Sequence, residues 1–495
     1  MLDPRTPVLV GVGTVTQRSD DTTPATDLAE PLALMVQATA AAAGDAGVPA
    51  LAAAAGLVLV PKGIWDYPDA AGQLATAIGA RAHTVVGEVG ILQQTLITRA
   101  AAEIAAGRLD VAVVAGGEAR QRAVRAARQG VTVGDTLVPG RPDELLVPHG
   151  DIITAVEIER DLAVPAHQYA LVESVLRHAD GLTADQQAAR LGRLWAAFAR
   201  VAATNPHAWD RTSPDAAAIT EPSPVNRIIA TPYAKRLCSQ WNVDQAAALV
   251  LTSVAQAEAV GVPRDRWVFL AATAESQAMV ALPNRVDLDR SVGTALAGRA
   301  ALGALGLEAD QVGYHDIYSC FPAAVQVQAR ELDLALDRPL TVTGGMTFAG
   351  GPLNSYVLHA TAALADRLRH DPGAMGMVTS VSGMLTKPAV ALWSTDPHDD
   401  TLASGPPLRS FDVTDEALAA IATCPVDATA TGPGRIVAHT VIHDRGEPSR
   451  AVAVVQLDRG VRTVAVDADA DRARATVAHD RVGQRVRVTD AGVFV

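Results

Sequence analysis

Short apolar runs alternate with alanine-rich helical stretches along most of this chain. That alternation predicts an α/β fold with mostly parallel sheets. Asp27–Gly44 predicts a helix, with Asp27 and Glu30 three residues on forming a capping box. It stops at Gly44 and Gly47 and leads into a strand over Gly56–Val60. The same order recurs downstream as a helix around Val292–Leu305, a stop at Gly306 and a strand over Gln311–Tyr314. A second pair is clearer. Arg99–Ala106, Gly107, the strand Asp110–Ala115 and Gly116–Gly117 run parallel to Thr361–Arg369, the strand Gly376–Thr379 and Gly383. Two copies of one unit predict duplication.

Arg120–Ser239, between the copies, is richer in helix formers and Trp and has Pro-rich turns at Glu221–Val225; it predicts an insertion. The chain rejoins the scaffold at Asn242–Ser253. Thr395–Pro407 has the Asp, Gly and Pro content of an exposed linker. Beyond it, Arg435–Ile442, Ala451–Leu457, Val461–Val466 and Arg485–Val488 are Val-rich runs between Gly and Asp turns, which predict a small all-β domain of barrel type. The division is 1–119 for the N-terminal half, completed by 240–260; 120–239 for the insertion; 261–397 for the C-terminal half; 398–407 for the linker; and 408–495 for the β domain.

A length of 495 residues asks for more than one core. A net charge of −13 argues against a duplex nucleic acid partner, which needs clustered surplus Lys and Arg. Lys62, Lys235 and Lys387 are the only lysines. Cys238, Cys320 and Cys424 are odd in number and far apart, which disfavours a disulfide framework or a zinc ribbon and fits a reducing cytoplasm. No signal-peptide pattern opens the sequence, and runs such as Leu51–Val60 are too short to span a bilayer.

Thr341–Tyr356, TVTGGMTFAGGPLNSY, resembles the glycine-rich catalytic loop of thiolases, which reads N-G-G, four residues, then G-H-P. Gly344 and Gly345 match the first pair, and Gly350 and Pro352 the outer positions. Over residues 5–395 the chain is similar to the thiolase superfamily, in its sterol-carrier-protein-like branch and most closely to thiolase-like proteins of type 1. The resemblance implies a thiolase fold, with duplicated βαβαβ-type halves in five αβαβα layers. It also implies an extra C-terminal domain. Here GPGRIVAHTVIH, GEPSRAVAVVQLDRGVR and VGQRVRV resemble the OB-fold domains that accompany thiolase-like proteins and acyl-CoA, without their Cys-rich ribbon.

Thiolases use a cysteine thiolate to take the acyl group, a histidine to activate it, a second cysteine to move the substrate proton, and oxyanion donors. Counted back from Gly107, the nucleophile position is Gly90. The activating histidine is Gly351, and TSVSGML places Val381 where the acid/base cysteine belongs. Leu385-Thr386-Lys387 repeats a motif that precedes a histidine in some branches, but Pro388 follows. His315-Asp316-Ile317-Tyr318 is matched to the H-D-C-F motif of the sterol-carrier branch, so His315 would hold the oxyanion-site water and Tyr318 would line the pantetheine tunnel. Ile317, Gly345, Gly350 and Gly383 complete the CoA-lining positions. Tyr356, with His315 and Asp316, would supply proton-transfer groups, or would simply pack on the helix after the loop.

Four features leave alternatives open. Cys320 is a relocated nucleophile or an inert buried thiol. Arg120, Arg122, Arg125 and Arg128 meet CoA phosphates or form a solvated helix face. His439 and His443 share a strand face without a third ligand, so no metal is expected. Gly11-Val12-Gly13 is strand–turn packing rather than a dinucleotide site. Thiolases pair through the strand equivalent to Thr84–Val89; Glu88 puts a charge there, which predicts a monomer or weak homodimer. The expected function is a cytoplasmic thiolase-like protein of lipid metabolism that binds CoA or acyl-CoA as a ligand, with no covalently bound cofactor and no ordinary thiolase activity. The alternatives are a retro-aldol lyase or acyltransferase working through His315, Asp316 or Tyr356, and a non-catalytic scaffold whose C-terminal domain binds a protein partner.

Overall fold

The computed structural model describes residues 2–20, 22–398, 407–489 and 493–494. The N-terminal half runs β1 (Pro7–Thr16), α1 (Pro31–Asp45), β2 (Leu57–Pro61), α2 (Ala70–Ala77), β3 (His83–Gly87), α3 (Gln93–Ala105) and β4 (Val111–Ala119). The insertion holds α4 (Arg120–Gln129), β5 (Glu144–Leu146), α5 (Ala155–Glu159), α6 (Pro165–Ala179), α7 (Ala184–Thr204), α8 (Ala216–Thr220) and the hairpin β6 (Ile228–Ala230) and β7 (Tyr233–Ala234). β8 (Asp244–Ser253) and α9 (Val254–Ala259) return to the scaffold. The second half contains β9 (Val268–Glu275), α10 (Val292–Gly303), β10 (Tyr314–Asp316), α11 (Pro322–Glu331), α12 (Gly345–Phe348), α13 (Tyr356–His370), β11 (Met375–Ser382) and β12 (Lys387–Ser394). Last come β13 (Ser410–Asp412), α14 (Thr414–Ala420), β14 (Gly432–Asp444), β15 (Glu447–Leu457), β16 (Arg462–Asp467), α15 (Ala470–Thr476) and β17 (Arg485–Val488).

The two halves share one 11-stranded sheet in the order β10-β11-β12-β9-β1-β8-β4-β2-β3-β5, with β13 also on β9. β2, β3 and β4 are parallel, as the alternation of helices and strands requires. β8 runs antiparallel between β1 and β4. Every residue of β4 and β8 is buried, so both faces of these strands are covered. Val111, Val113 and Ala115 of β4 join a core with α1 and α2, while Ala112 and Val114 join one with α3 and α13. α3 and α13 each touch strands of both halves and form the layer between them. α1 and α2 cover the outside of one half and α10 covers the other, which gives the expected αβαβα layering.

A bulge between Leu9 and Gly11 of β1 reverses the side-chain alternation. Gly11 and Gly13 then face α1, and a Cβ on either would strike a carbonyl oxygen, of Ala42 or Ala38. The Gly-Val-Gly fragment therefore lets a helix lie directly on the strand. α1 itself starts at Pro31, not at Asp27, which sits in a separate single turn, Ala25–Asp27. Proline at the first helical position supplies the helical φ, and no capping box forms. Glu30 instead accepts from the Tyr67 hydroxyl (3.0 Å) and from Thr136 N (2.6 Å).

β3, the strand expected at a dimer interface, is already paired. β5 lies parallel along it, matching Val85 to Glu144 and Gly87 to Leu146. Glu88 N donates to Leu146 O at 2.9 Å. Edge coverage by the insertion, rather than the Glu88 charge alone, closes this edge to a second copy.

The C-terminal segment builds a second sheet, β16-β15-β14-β6-β7, with β17 also on β14. It differs from an all-β barrel in three ways. α14 and α15 interrupt it, the insertion hairpin extends it, and no ladder among the described residues closes it. Thr231 N donates to Val441 O and Thr440 Oγ1 to Thr231 O, both at 2.9 Å, so the hairpin is stitched to β14. β13 pairs with β9 and so joins the large sheet rather than the second one. The Arg462 guanidinium donates to the carbonyls of Pro283 (3.3 Å), Arg285 and Val286 (3.0 Å) and clamps the two parts together. Most of the linker expected between them, 399–406, lies outside the described residues.

Two measurements follow from this architecture. Sedimentation should find a monomer, and replacing Glu144–Leu146 by three glycines should induce self-association by freeing β3; a variant that stays monomeric removes the edge-coverage argument. Glu118, at the end of β4, is buried and accepts from Ile64 N at 2.8 Å. Burial raises its pKa to about 7 from 4.5. Protonation therefore favours the fold, and this contribution is lost as pH rises through about 7. Glu118→Gln should melt higher than the parent at pH 8.5, by up to roughly 3 kcal/mol in stability, with little gain near pH 5. Parallel melting profiles across that range would contradict it.

Candidate functional site

The glycine loop is wrapped around one carboxylate. Asp316, at the end of β10, is 0% exposed. Its Oδ2 accepts from Thr341 Oγ1 (2.9 Å), Val342 N (3.0 Å), Thr343 N (3.0 Å) and Thr343 Oγ1 (2.8 Å). Its Oδ1 accepts from the Tyr356 hydroxyl at 2.7 Å. Burial raises the Asp316 pKa, and these donors work against the rise. Gly344, Gly345 and Gly350 have φ of 102°, 74° and 108°, a region that suits glycine, so the loop can turn back twice within a few residues. Ser319 Oγ then accepts from Met346 N (3.0 Å) and fixes the start of α12. The Tyr318 ring meets Tyr356 edge-on at 5.8 Å, and its hydroxyl shares a hydrogen bond with Gln93. Gln93 in turn accepts from Val357 N at 2.6 Å. Asp316, Tyr356, Tyr318 and Gln93 are thus one connected group.

His315 is outside it. Neighbouring residues of a strand point to opposite faces, so Asp316 turns toward the loop and His315 away. His315 is buried beside Arg338, with a hydrogen bond to the Ala309 backbone, and burial brings its pKa down to about 4. The structure therefore corrects the motif match. Asp316 reaches the glycine loop, and His315 does not.

Gly90, Gly351 and Val381, the positions expected for the thiolase residues, carry no reactive side chain, and two of them are closely packed from elsewhere. Gly90 has φ of 106°, and a Cβ there would stand 2.5 Å from Ile152 Cδ1 and 3.0 Å from Pro148 Cγ, both from the insertion. A Cβ at Gly351 would run into Ser239 Oγ. Gly351 N donates to Gln240 O at 2.8 Å, and Gln240 N to Met346 O at 3.0 Å, so the end of the insertion is bound to the loop. Val381 is a buried apolar residue facing Pro388 across β11 and β12. The expected CoA-lining glycines touch protein as well: Gly345 lies against Phe198, Gly350 against Gln245, and Gly383 against Met279. Ile317 is buried, with its N–H on Leu340 O at 3.0 Å.

Comparison with known proteins agrees with this geometry. The family model for the additional C-terminal domain of thiolase-like protein type 1 matches residues 414–493. A monomeric SCP2-thiolase-like protein type 1 from Mycobacterium smegmatis shares 28% identity at a TM-score of 0.81, covering 99% of this chain and 98% of that one. The chain is thus similar to the type 1 thiolase-like proteins over nearly its whole length and carries their additional C-terminal domain. The Ltp2–ChsH2(DUF35) aldolase is similar at 20% identity and a TM-score of 0.56, covering 78% of this chain and 98% of the other. An acetyl-CoA acetyltransferase from Syntrophomonas wolfei is similar at 16% identity and a TM-score of 0.55, with 79% and 99% covered. Curated proteins offer no match.

In this thiolase-like chain a lysine takes a place that sequence reasoning left empty. Lys387 is 0% exposed, and its Nζ donates at 2.6 Å to the carbonyl of Gly90, the position expected for the nucleophile. Burial lowers its pKa, and the Glu275 charge opposes this. Glu275 is itself held by Thr95 Oγ1 (3.0 Å) and Gln277 Nε2 (3.2 Å). The available signal was a lysine, one of three in the chain, opening a strand that is apolar from Pro388 to Trp393. Arg285, 3% exposed and beside Gly383, keeps Nε and Nη1 without a partner among the described residues, and burial lowers its pKa to about 10.

The remaining candidates have structural roles. Cys320 precedes α11, but burial raises its thiol to about 12, the opposite of an activated nucleophile. Arg120 stacks on Trp241 at 3.8 Å, and Arg125 donates to the carbonyls of Asp20 and Thr23. His439 Nε2 accepts from Arg481 N (3.1 Å), and His443 Nε2 meets Thr231 Oγ1 (3.0 Å). No metal-binding cluster occurs among the described residues.

Tyr356→Phe removes the donor to Asp316 Oδ1. It should cost about 1–3 kcal/mol in urea denaturation, because a buried acceptor loses its partner. An unchanged midpoint would show that the loop does not depend on this bond.

Proposed function

We propose that this chain binds CoA or an acyl-CoA in lipid metabolism and does not carry out ordinary thiolase turnover. The observation that carries the second part is the packing at Gly90 and Gly351, where Ile152, Pro148 and Ser239 occupy the space of a cysteine and a histidine side chain. CoA binding is supported by the thiolase-like fold and the preserved glycine loop, and also by Tyr318, the expected tunnel-lining residue, which lies beside Gln93 and Tyr356. The three cysteines are unpaired, which suits a cytoplasmic setting. A monomer is our reading of its assembly, with the C-terminal domain left as a surface for a protein partner.

A second reading is an acyl-CoA retro-aldol lyase or acyltransferase of altered chemistry. It is favoured by the buried Asp316–Tyr356 pair and by Lys387 at the old nucleophile position. The likeness to an aldolase adds support at the level of fold alone.

Calorimetric titration with CoA, a short acyl-CoA and a long acyl-CoA tests the proposal. Binding is expected to weaken roughly ten-fold or more, about 1.4 kcal/mol, in Tyr318→Ala. Absence of heat with all three ligands would refute CoA binding, and measurable thiolytic turnover would refute the loss of thiolase chemistry.

A further inference from the structure

A groove of about 600 Å³ opens between α7, α11 and the chain that follows α11. Its size is within the usual range for small-molecule pockets, roughly 300–1,000 Å³. Arg190, Arg193 and Arg200 of α7 and Arg330 of α11 stand along it, against two carboxylates, Asp180 and Asp337. The chain as a whole carries a net charge of −13, so the groove reverses the sign locally. Such a concave patch concentrates anions.

The groove lies on the far side of α7 from the glycine loop. At about 100° per residue, Arg193, Ala197 and Arg200 share one face of the helix, and Trp195, Phe198 and Ala202 share the opposite one. The second face meets the loop. Trp195 Nε1 donates to Thr347 Oγ1 at 3.0 Å, and a Cβ on Gly344 or Gly345 would strike Ala202 or Phe198. The body of α7 therefore stands between the two, and neither Tyr318, Tyr356, Gly345 nor Gly350 lines the groove.

The four arginines differ in what holds them. Arg190 and Arg330 share Asp180, Arg330 at 3.1 Å, and Arg330 also reaches Asp289 at 3.4 Å. Arg193 and Arg200 are exposed and have no ion pair or hydrogen bond among the described residues. Two turns apart on one face, they are separated by about 10 Å along the axis. Each guanidinium is a planar fork of donors that matches a phosphoryl group. Two linked phosphoryl groups can therefore engage both. Between the arginines, Leu194, Ala197, Leu334 and Leu336 give an apolar floor. Asp337 is exposed and unpaired, so its repulsion of an anion acts through water and is weak. We propose that this groove takes a small organic diphosphate, with its phosphoryl groups on Arg193 and Arg200 and an alkyl or alkenyl group on the apolar floor. The site stands apart from the CoA reading and does not depend on it.

Calorimetric titration of the full chain with inorganic pyrophosphate and with isopentenyl diphosphate tests this, at an ionic strength of about 0.15 M to screen long-range attraction. Saturable binding of both is expected, tighter for isopentenyl diphosphate. Arg193→Ala combined with Arg200→Ala should weaken it roughly ten-fold or more. Asp337→Asn should strengthen it roughly two-fold, and carries the test if the double variant fails to fold. Arg81→Ala combined with Arg487→Ala removes the same charge from exposed positions elsewhere and should leave binding unchanged. Four results overturn the proposal. One is no saturable heat with either probe. Another is equal weakening in the two double variants, which would reduce the effect to net charge. The third is no gain from the isopentenyl group. The last is displacement of the probes by CoA, which would place the CoA phosphates in the groove.

Discussion

A carboxylate with no access to water must be ringed by donors or surrender its charge to a proton. Asp316 meets that constraint with donors drawn from one short stretch, Thr341–Thr343, and from Tyr356. Much of the surrounding geometry follows. In the first half of the fold, the equivalent stretch is the strand β3. In the second half it is bent around the carboxylate instead, so no matching strand forms. Tyr356 anchors the start of α13, and the Tyr318 ring rests on the Tyr356 ring.

The insertion does three jobs that a thiolase half-repeat cannot do alone. Its β5 closes the edge of β3. Pro148, Ile152 and Ser239 fill the space above Gly90 and Gly351. Its β6–β7 hairpin extends the C-terminal sheet. One segment therefore packs against an edge of the large sheet, against Gly90 and Gly351, and against the C-terminal sheet.

Much of the scaffold was legible because it rests on periodicity. The strands at Asp110–Ala115 and Gly376–Thr379 and the helices before them are long, regular and bounded by glycine, and they appear in place. β5 was not legible, since three residues of mixed polarity carry no period. The start of α1 was misplaced because Asp27 and Glu30 have capping spacing, while Pro31 sets the helix by its fixed φ. At the site, Gly90 could be picked out by counting from Gly107 and Gly351 by the loop pattern, but the packing around them could not. The side chains that fill them come from Pro148–Ile152 and Ser239, far away along the chain. His315 and Asp316 were adjacent letters, and strand alternation sent them to opposite sides.

β1 precedes β8 and β9 along the chain, yet it sits in the middle of the large sheet, with β8 on one flank and β9 on the other. Pro7 pairs with Ser253 and Val8 with Phe269, so neither neighbour exists until the insertion has been made. On the ribosome, a central strand therefore waits with both edges bare while well over 200 residues emerge. Contacts of such long range close slowly and leave adhesive edges open in the meantime. The insertion is thus also a delay written into the order of synthesis. During that delay the nascent chain is most exposed to misassociation, and α1, already formed against Gly11 and Gly13, is the first cover available to the waiting strand.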